Sequence, residues 1–276
     1  MTEPTIASDG ARRVPSRRER RARRHRRTWV LVAGAVVVMA LVGGGILLTS
    51  GQQQTVATAA PSAPTTTLPP APSTTLPKPA DVATTKVPIL EAFDAPNGTR
   101  VIASLSEKTD YQQPRTLLVT ERQGDWLKVL LPIRPNQTEG WIRLSDVTLS
   151  SNPYRITVDL GEHMVRVYKD GVEVLSSPAV VGADRTPTPL GTYYVTDPVD
   201  LRTRSGGSYG AFALGLSGFS DVLFEFNGGP GQIAIHGTNN PELVGQNVSN
   251  GCIRLPNDAI VAIATQVPLG TPVVIT

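Results

Sequence analysis

The chain has 276 residues, 40% hydrophobic and 18% charged, with a net charge of +3, three histidines and one cysteine. A single cysteine excludes a disulfide within the chain, and one thiol with the two histidines beyond the N-terminal tail does not complete a zinc shell. The positive charge is local: residues 1–27 hold ten arginines against Glu3, Asp9 and Glu19, a net +7, which leaves the remainder at −4. A nucleic-acid partner is therefore not expected.

Residues 1–28 read as an arginine-rich cytoplasmic tail. Residues 29–48, "WVLVAGAVVVMALVGGGILL", are uncharged, and about 20 apolar residues at 1.5 Å rise cross a hydrocarbon core. Positive flanks stay inside, so a single-pass helix is predicted with its N-terminus in the cytoplasm and the rest of the chain outside. The alternative is a cleaved signal peptide, whose apolar core of about 7–15 residues is shorter. Residues 49–85 are rich in Pro, Thr and Ala and are predicted to be a disordered, extended spacer that lifts the rest into a layer such as a cell wall. Outside the membrane, disulfides are the rule. An odd thiol there is either reactive or intermolecular.

Residues 86–150 carry short apolar runs ("VPILEAF", "RTLLVTER", "WLKVLLPI", "GWIRL") separated by turn signals, which predicts a small β-barrel. The phrases "GDWLKVLLP" and "EGWIRLSDV" resemble bacterial SH3-like modules. Trp126 and Trp141 read as barrel core, with wall binding as the alternative.

Residues 153–276 form the last domain. "RITVDL" alternates apolar and polar residues as a half-buried strand does. "MVRVYKDGVEVLSS" predicts two strands joined at Asp170-Gly171. "GTYYVTD", "VLFEFN", "QIAIHG" and "TPVVIT" are further predicted strands. "NDAIVAIATQV" predicts a helix capped by Asn257, with Ile260, Val261, Ile263, Ala264 and Val267 on its apolar face and Pro268 as its stop. Residues 202–221 are glycine-rich and read either as a flap over a cleft or as a structural loop. The domain is expected to be a β-sandwich with one or two helices.

The strand "QIAI" delivers His236, followed by Gly237, and fifteen residues separate His236 from Cys252 in "SNGCIRL" at 249–255. A free thiol titrates near ~8.5, and an adjacent imidazolium lowers that by several units, so His236 is the candidate base. His163, in a hairpin turn, reads as solvent-exposed. Gly251 permits a tight turn. The N–H groups of such a turn, which includes Asn250, are candidates to face a developing oxyanion. Arg254 offers a fork for a carboxylate. Ser249 is a candidate for steadying the turn or touching substrate. The plainer alternative is an inert, buried cysteine.

His236-Gly237-Thr238, the gap and "SNGCIRL" together resemble the signature of the L,D-transpeptidase catalytic domain (YkuD-like). "DLGEHMVRVYKDG" and "TPLGTYYVTD" resemble that family's N-terminal hairpin and its Thr-Pro-x-Gly-x-Tyr segment. The resemblance covers residues 153–276. It implies a β-sandwich catalytic domain in which Cys252 attacks and His236 acts as base, its imidazole oriented by a backbone carbonyl near Gly237. It further implies peptidoglycan stem peptides as substrate, a thioester intermediate, 3→3 cross-links, and no metal or other cofactor. A monomer is expected. Asn250 departs from members with a second histidine before Gly-Cys. Two rivals remain. One is a sortase-like cysteine transpeptidase, whose Thr-Leu-x-Thr-Cys phrase is absent. The other is a non-catalytic wall-binding protein.

Overall fold

A computed structural model describes residues 79–203 and 207–276. The predicted tail, membrane span and most of the spacer lie outside these residues. Among the described residues no helix is long and apolar enough to cross a membrane.

The first part is a sheet of seven strands: β1 (Ala80–Thr85), β2 (Ile89–Phe93), β3 (Val101–Ser106), β4 (Thr116–Gln123), β5 (Trp126–Leu130), β6 (Glu139–Arg143) and β7 (Val147–Asn152). Their order is β3-β2-β6-β5-β4-β1-β7. β1 corrects the predicted spacer, which reached residue 85. It pairs antiparallel with both β4 and β7 and buries Val82, Ala83 and Thr85. The prolines stop at Pro79, and the β-branched "DVATT" that follows suits a pleated, half-buried position. Trp141 is buried, as a core reading requires. Trp126 is only half-buried: its Nε1–H donates to Asn97 Oδ1 at 3.0 Å, and its ring meets Phe93 edge-on at 5.6 Å.

The second part is a sheet of eight strands in the order β10-β9-β8-β17-β12-β13-β14-β16. They are β8 (Tyr154–Asp159), β9 (Met164–Lys169), β10 (Val172–Pro178), β12 (Gly191–Asp200), β13 (Phe212–Phe219), β14 (Gln232–Gly237), β16 (Ile253–Leu255) and β17 (Pro272–Ile275). β11 (Val181–Gly182) and β15 (Asn247–Ser249) make a separate short parallel pair. The β9–β10 turn at Asp170-Gly171 has both residues at positive φ, 49° and 80°, the geometry that a two-residue hairpin with matched twist needs. One helix, α1 (Asn257–Ala264), packs Ile260 and Ile263 into the core on β13 and β14.

The structure departs from the sequence reading in four further places. The glycine-rich 202–221 segment is not all loop: β13 occupies 212–219 at the middle of the sheet. Its glycines answer to packing, since a Cβ on Gly218 would stand 2.3 Å from the Tyr193 ring. "VLFEFN" is not a strand. Instead Ser220 Oγ accepts the Leu223 N–H at 3.0 Å and folds the segment into a loop. Asn257 does not cap α1, which begins after Pro256 with no side-chain cap; its Oδ1 accepts the Ala211 N–H at 2.8 Å. His163 is in the expected turn but half-buried, and its ring bonds Asn247 in the approach to the cysteine.

β12 joins the two parts. Adjacent strand residues face opposite sides. Tyr193 enters the core of the eight-stranded sheet, and Tyr194 enters the core of the seven-stranded one. Burial pushes both phenols upward, Tyr193 to about 12.

Candidate active site

β14 and β16 run parallel with Ile235 opposite Ile253 and His236 opposite Arg254. The period of two then sorts the residues. Ile233, Ile235, Ile253 and Leu255 point into the core and are almost wholly buried. Ala234, His236, Cys252 and Arg254 share the other face. Two four-residue phrases, "IAIH" and "CIRL", therefore put every reactive side chain on one side. His236, Cys252, Arg254 and Asn250 line one cleft.

The turn before Cys252 is built by Ser249. This residue is 1% exposed, and its hydroxyl donates to Cys252 O at 2.6 Å while accepting the Gly251 N–H at 3.1 Å. Its own carbonyl accepts the Ala183 N–H at 3.0 Å and the Thr186 hydroxyl at 2.9 Å. Ser249 is thus a turn-builder and not a cleft-lining group. Gly251 has φ +107°, a region L side chains rarely adopt, and an added Cβ would press Ile233 at 3.2 Å. Its N–H donates to the Ser249 hydroxyl at 3.1 Å and is engaged within the turn.

His236 is 4% exposed. Its Nδ1 lies 2.7 Å from Gly237 O, so Nδ1–H donates there and Nε2 keeps the lone pair. This is the orienting carbonyl that the family resemblance implies. Burial, aided by the Arg254 cation, holds the imidazole down at about 4, against opposing bonds to the Gly237 and Tyr209 backbone. Burial likewise pushes the Cys252 thiol up, against a backbone hydrogen bond with Ala234 and the charge of Arg254. Both shifts favour the neutral forms. Both directions run against an imidazolium–thiolate pair at rest. Arg254 lines the cleft, and its Nε is buried with no hydrogen-bond partner among the described residues.

Sequence reasoning missed Tyr209, whose ring lies over His236 with centroids 4.7 Å apart. Its placement follows from glycines. A Cβ on Gly210 would come within 2.4 Å of Gly237, and one on Gly237 within 2.1 Å of Asn257 Oδ1. The run Tyr209-Gly210-Ala211 therefore docks directly on His236-Gly237, and Asn257 seals the contact. "SYGAF" beside "HG" was the available signal. Leu223, Phe226 and Asn227, which also line the cleft, lay in the segment misread as a strand.

The family model of the L,D-transpeptidase catalytic domain (YkuD) matches residues 153–275. YqjB of Bacillus subtilis, whose name assigns it to the L,D-transpeptidases, is 34% identical over 138 residues, 48% of this chain and 76% of that protein. The chain belongs to the L,D-transpeptidase family. YkuD of Bacillus licheniformis, another protein that bears the family name, is 38% identical over 124 residues, 45% of this chain and 66% of its own length. An Enterococcus faecium L,D-transpeptidase mutant of known structure is 24% identical, covering 45% of this chain and 50% of that one, with a TM-score of 0.36. Residues 79–152 lie outside the matched segment.

Proposed function

We propose that the chain is a peptidoglycan L,D-transpeptidase that forms 3→3 cross-links through a Cys252 thioester, with His236 as general base. One observation carries the mechanism: Cys252, Arg254 and His236 share one sheet face, and Gly237 O fixes the imidazole so that Nε2 is free to take a proton. As Cys252 Sγ attacks the carbonyl between an L-centre and a terminal D-alanine, its proton passes to Nε2. The C–N bond breaks, D-alanine leaves with that proton, and a thioester remains. The side-chain amine of a neighbouring stem then attacks. It loses a proton to Nε2, which returns it to sulfur as the C–S bond breaks. The unpartnered Arg254 Nε supports this residue as the anchor of a stem carboxylate. The neutral ground state suits a general-base step, because only the neutral imidazole accepts a proton. The test is incubation of the purified chain with a disaccharide tetrapeptide and mass spectrometry of the products. Release of D-alanine with a cross-linked dimer is expected, and unchanged tetrapeptide would defeat the reading.

The anchored topology belongs to the same proposal. Ten arginines before an uncharged twenty-residue span argue for an N-terminus inside, a spacer across the periphery and both sheets in the wall space. The first sheet is proposed to be the SH3-like module its two tryptophan phrases resemble. A reporter that works only in the cytoplasm, fused after Thr276, should be silent. An active one would place the sheets on the wrong side of the membrane for a wall substrate.

A further inference from the structure

Part of the wall of the cleft is held from outside the matched segment. Residues 220–231 connect β13 to β14 and bring Leu223, Phe226, Asn227 and Gly231 to the cleft that contains Cys252. The segment has little apolar burial of its own: Asp221, Val222, Glu225 and Pro230 are exposed, and Phe224 is 71% exposed. Its internal bonds are few, and at its start the Ser220 hydroxyl accepts the Val222 and Leu223 N–H groups at 3.4 and 3.0 Å. Ser220 N–H reaches Gly231 O at 2.8 Å, and Phe226 and Gly229 exchange two bonds at 2.9 and 3.0 Å. A loop so built does not fix its own shape.

Arg134 lies between β5 and β6 of the first sheet. Its guanidinium donates to Ser220 O at 2.5 Å, Pro230 O at 2.9 Å and Leu223 O at 3.2 Å, which gathers both ends and the middle of the loop. It also lies over the rings of Phe219 and Phe224, 5.0 and 4.7 Å from their centroids. Two residues on, Asn136 acts as a strand partner for Phe219, donating to its carbonyl at 2.7 Å and accepting its N–H at 2.9 Å. Gly231 is at φ +70°, and an added Cβ would lie 2.0 Å from Leu223 O and 3.3 Å from the Arg134 Nη2. Three carbonyls in different directions need a planar fork, which a lysine's point charge does not supply. Asn227 also shares the cleft lining with Tyr209, whose ring centroid lies 4.7 Å from that of His236.

We propose that Arg134, seconded by Asn136, is a positioning residue for the catalytic cleft: the first sheet sets the shape of the loop against which substrate lies. What the substrate is rests on the transpeptidase reading; the clamp itself does not. A tie that serves only to glue the two sheets together is the competing account, and it predicts a different pattern.

The test compares the full chain with Arg134→Ala, Arg134→Lys and Asn136→Ala. Hydrogen exchange at the Ser220, Leu223, Phe226 and Gly229 amides should speed up about tenfold or more in Arg134→Ala, the scale of one net hydrogen bond. Amides within β12 and β14 should keep their rates. KM for D-alanine release from a tetrapeptide should rise by about tenfold on the same scale, with kcat little changed and Cys252 alkylation by a small reagent unaltered. Arg134→Lys should recover only part of the loss, and Asn136→Ala should show the same split more weakly. Unchanged loop exchange, or an equal loss of protection throughout both sheets with an unchanged KM, would overturn the proposal. If the unsubstituted chain releases no D-alanine, the transpeptidase reading fails, while the exchange comparison still decides the clamp.

Discussion

Cys252→Ala is expected to abolish both D-alanine release and dimer formation. The sequence holds no second thiol to take over. The change removes one sulfur from a half-buried position and leaves the turn intact, because the hydroxyl of Ser249 bonds the backbone carbonyl of residue 252 and not its side chain. Loss of a nucleophile that works as a unit with its base costs on the order of 10⁶ in kcat. By the same logic a β-lactam of the carbapenem type should add one inhibitor mass to the unsubstituted chain and none to the variant. Intact-mass spectrometry and a D-alanine assay read both outcomes. A variant that keeps even a few per cent of the rate would move the chemistry away from the sulfur.

Much of this site could be read from the chain alone, and the reason is local. "IAIH" and "CIRL" state their own geometry, since alternation assigns isoleucine and leucine to the core and leaves histidine, cysteine and arginine on the opposite face. Gly251 before the cysteine was equally legible as a point of tight backbone. What failed was set by partners distant in sequence. "VLFEFN" has the composition of a strand, yet it is a loop: the Ser220 hydroxyl takes the Leu223 N–H, and Arg134, about ninety residues earlier, binds the Leu223 carbonyl. β13 was hidden by its glycines: a Cβ on Gly218 would meet the Tyr193 ring, and one on Gly215 would press Asp197 and Gln232. β1 was hidden in a proline-rich average that ends one residue before it begins. Asn257 looked like a cap from its neighbours alone; the backbone of Ala211 claims its side chain first.

These misreadings share a physical cause. Each turns on a contact with another segment: Arg134 with the 220–231 loop, Tyr193 with Gly218, β1 with β4 and β7, and Asn257 with Ala211. A period or a turn signal reports what one segment prefers; it carries no information about which carbonyl, 86 or more residues away, a guanidinium will find. The family match shows the same boundary. It begins at residue 153, while the core around Tyr194 runs on into the seven-stranded sheet.

The ionisation of the pair separates the sequence expectation from the structure most sharply. The imidazole is held at about 4 and the thiol is pushed up, both chiefly by burial. Between those limits neither group is charged. Alkylation of Cys252 by a small neutral reagent should therefore climb with pH and show no plateau below the free-thiol value of ~8.5. His236→Ala should slow D-alanine release by about 10² to 10⁴, the usual contribution of a general base. It should leave the alkylation profile nearly in place, because the thiol's shift comes from burial and not from an imidazolium. Catalysis should persist as pH falls through 6.5, where an ordinary histidine would protonate, and fail only toward about 4, where Nε2 loses its lone pair. Stability follows the same sign. The folded value lies below the ordinary one, so the contribution of His236 is complete above pH 6.5 and is lost as pH falls toward about 4. Denaturant midpoints across that window should drop in the unsubstituted chain and drop less in His236→Ala. A thiolate plateau below pH 7 that disappears in His236→Ala would mean that the charged pair exists at rest, and that the cleft is wetter around sulfur than its packing implies.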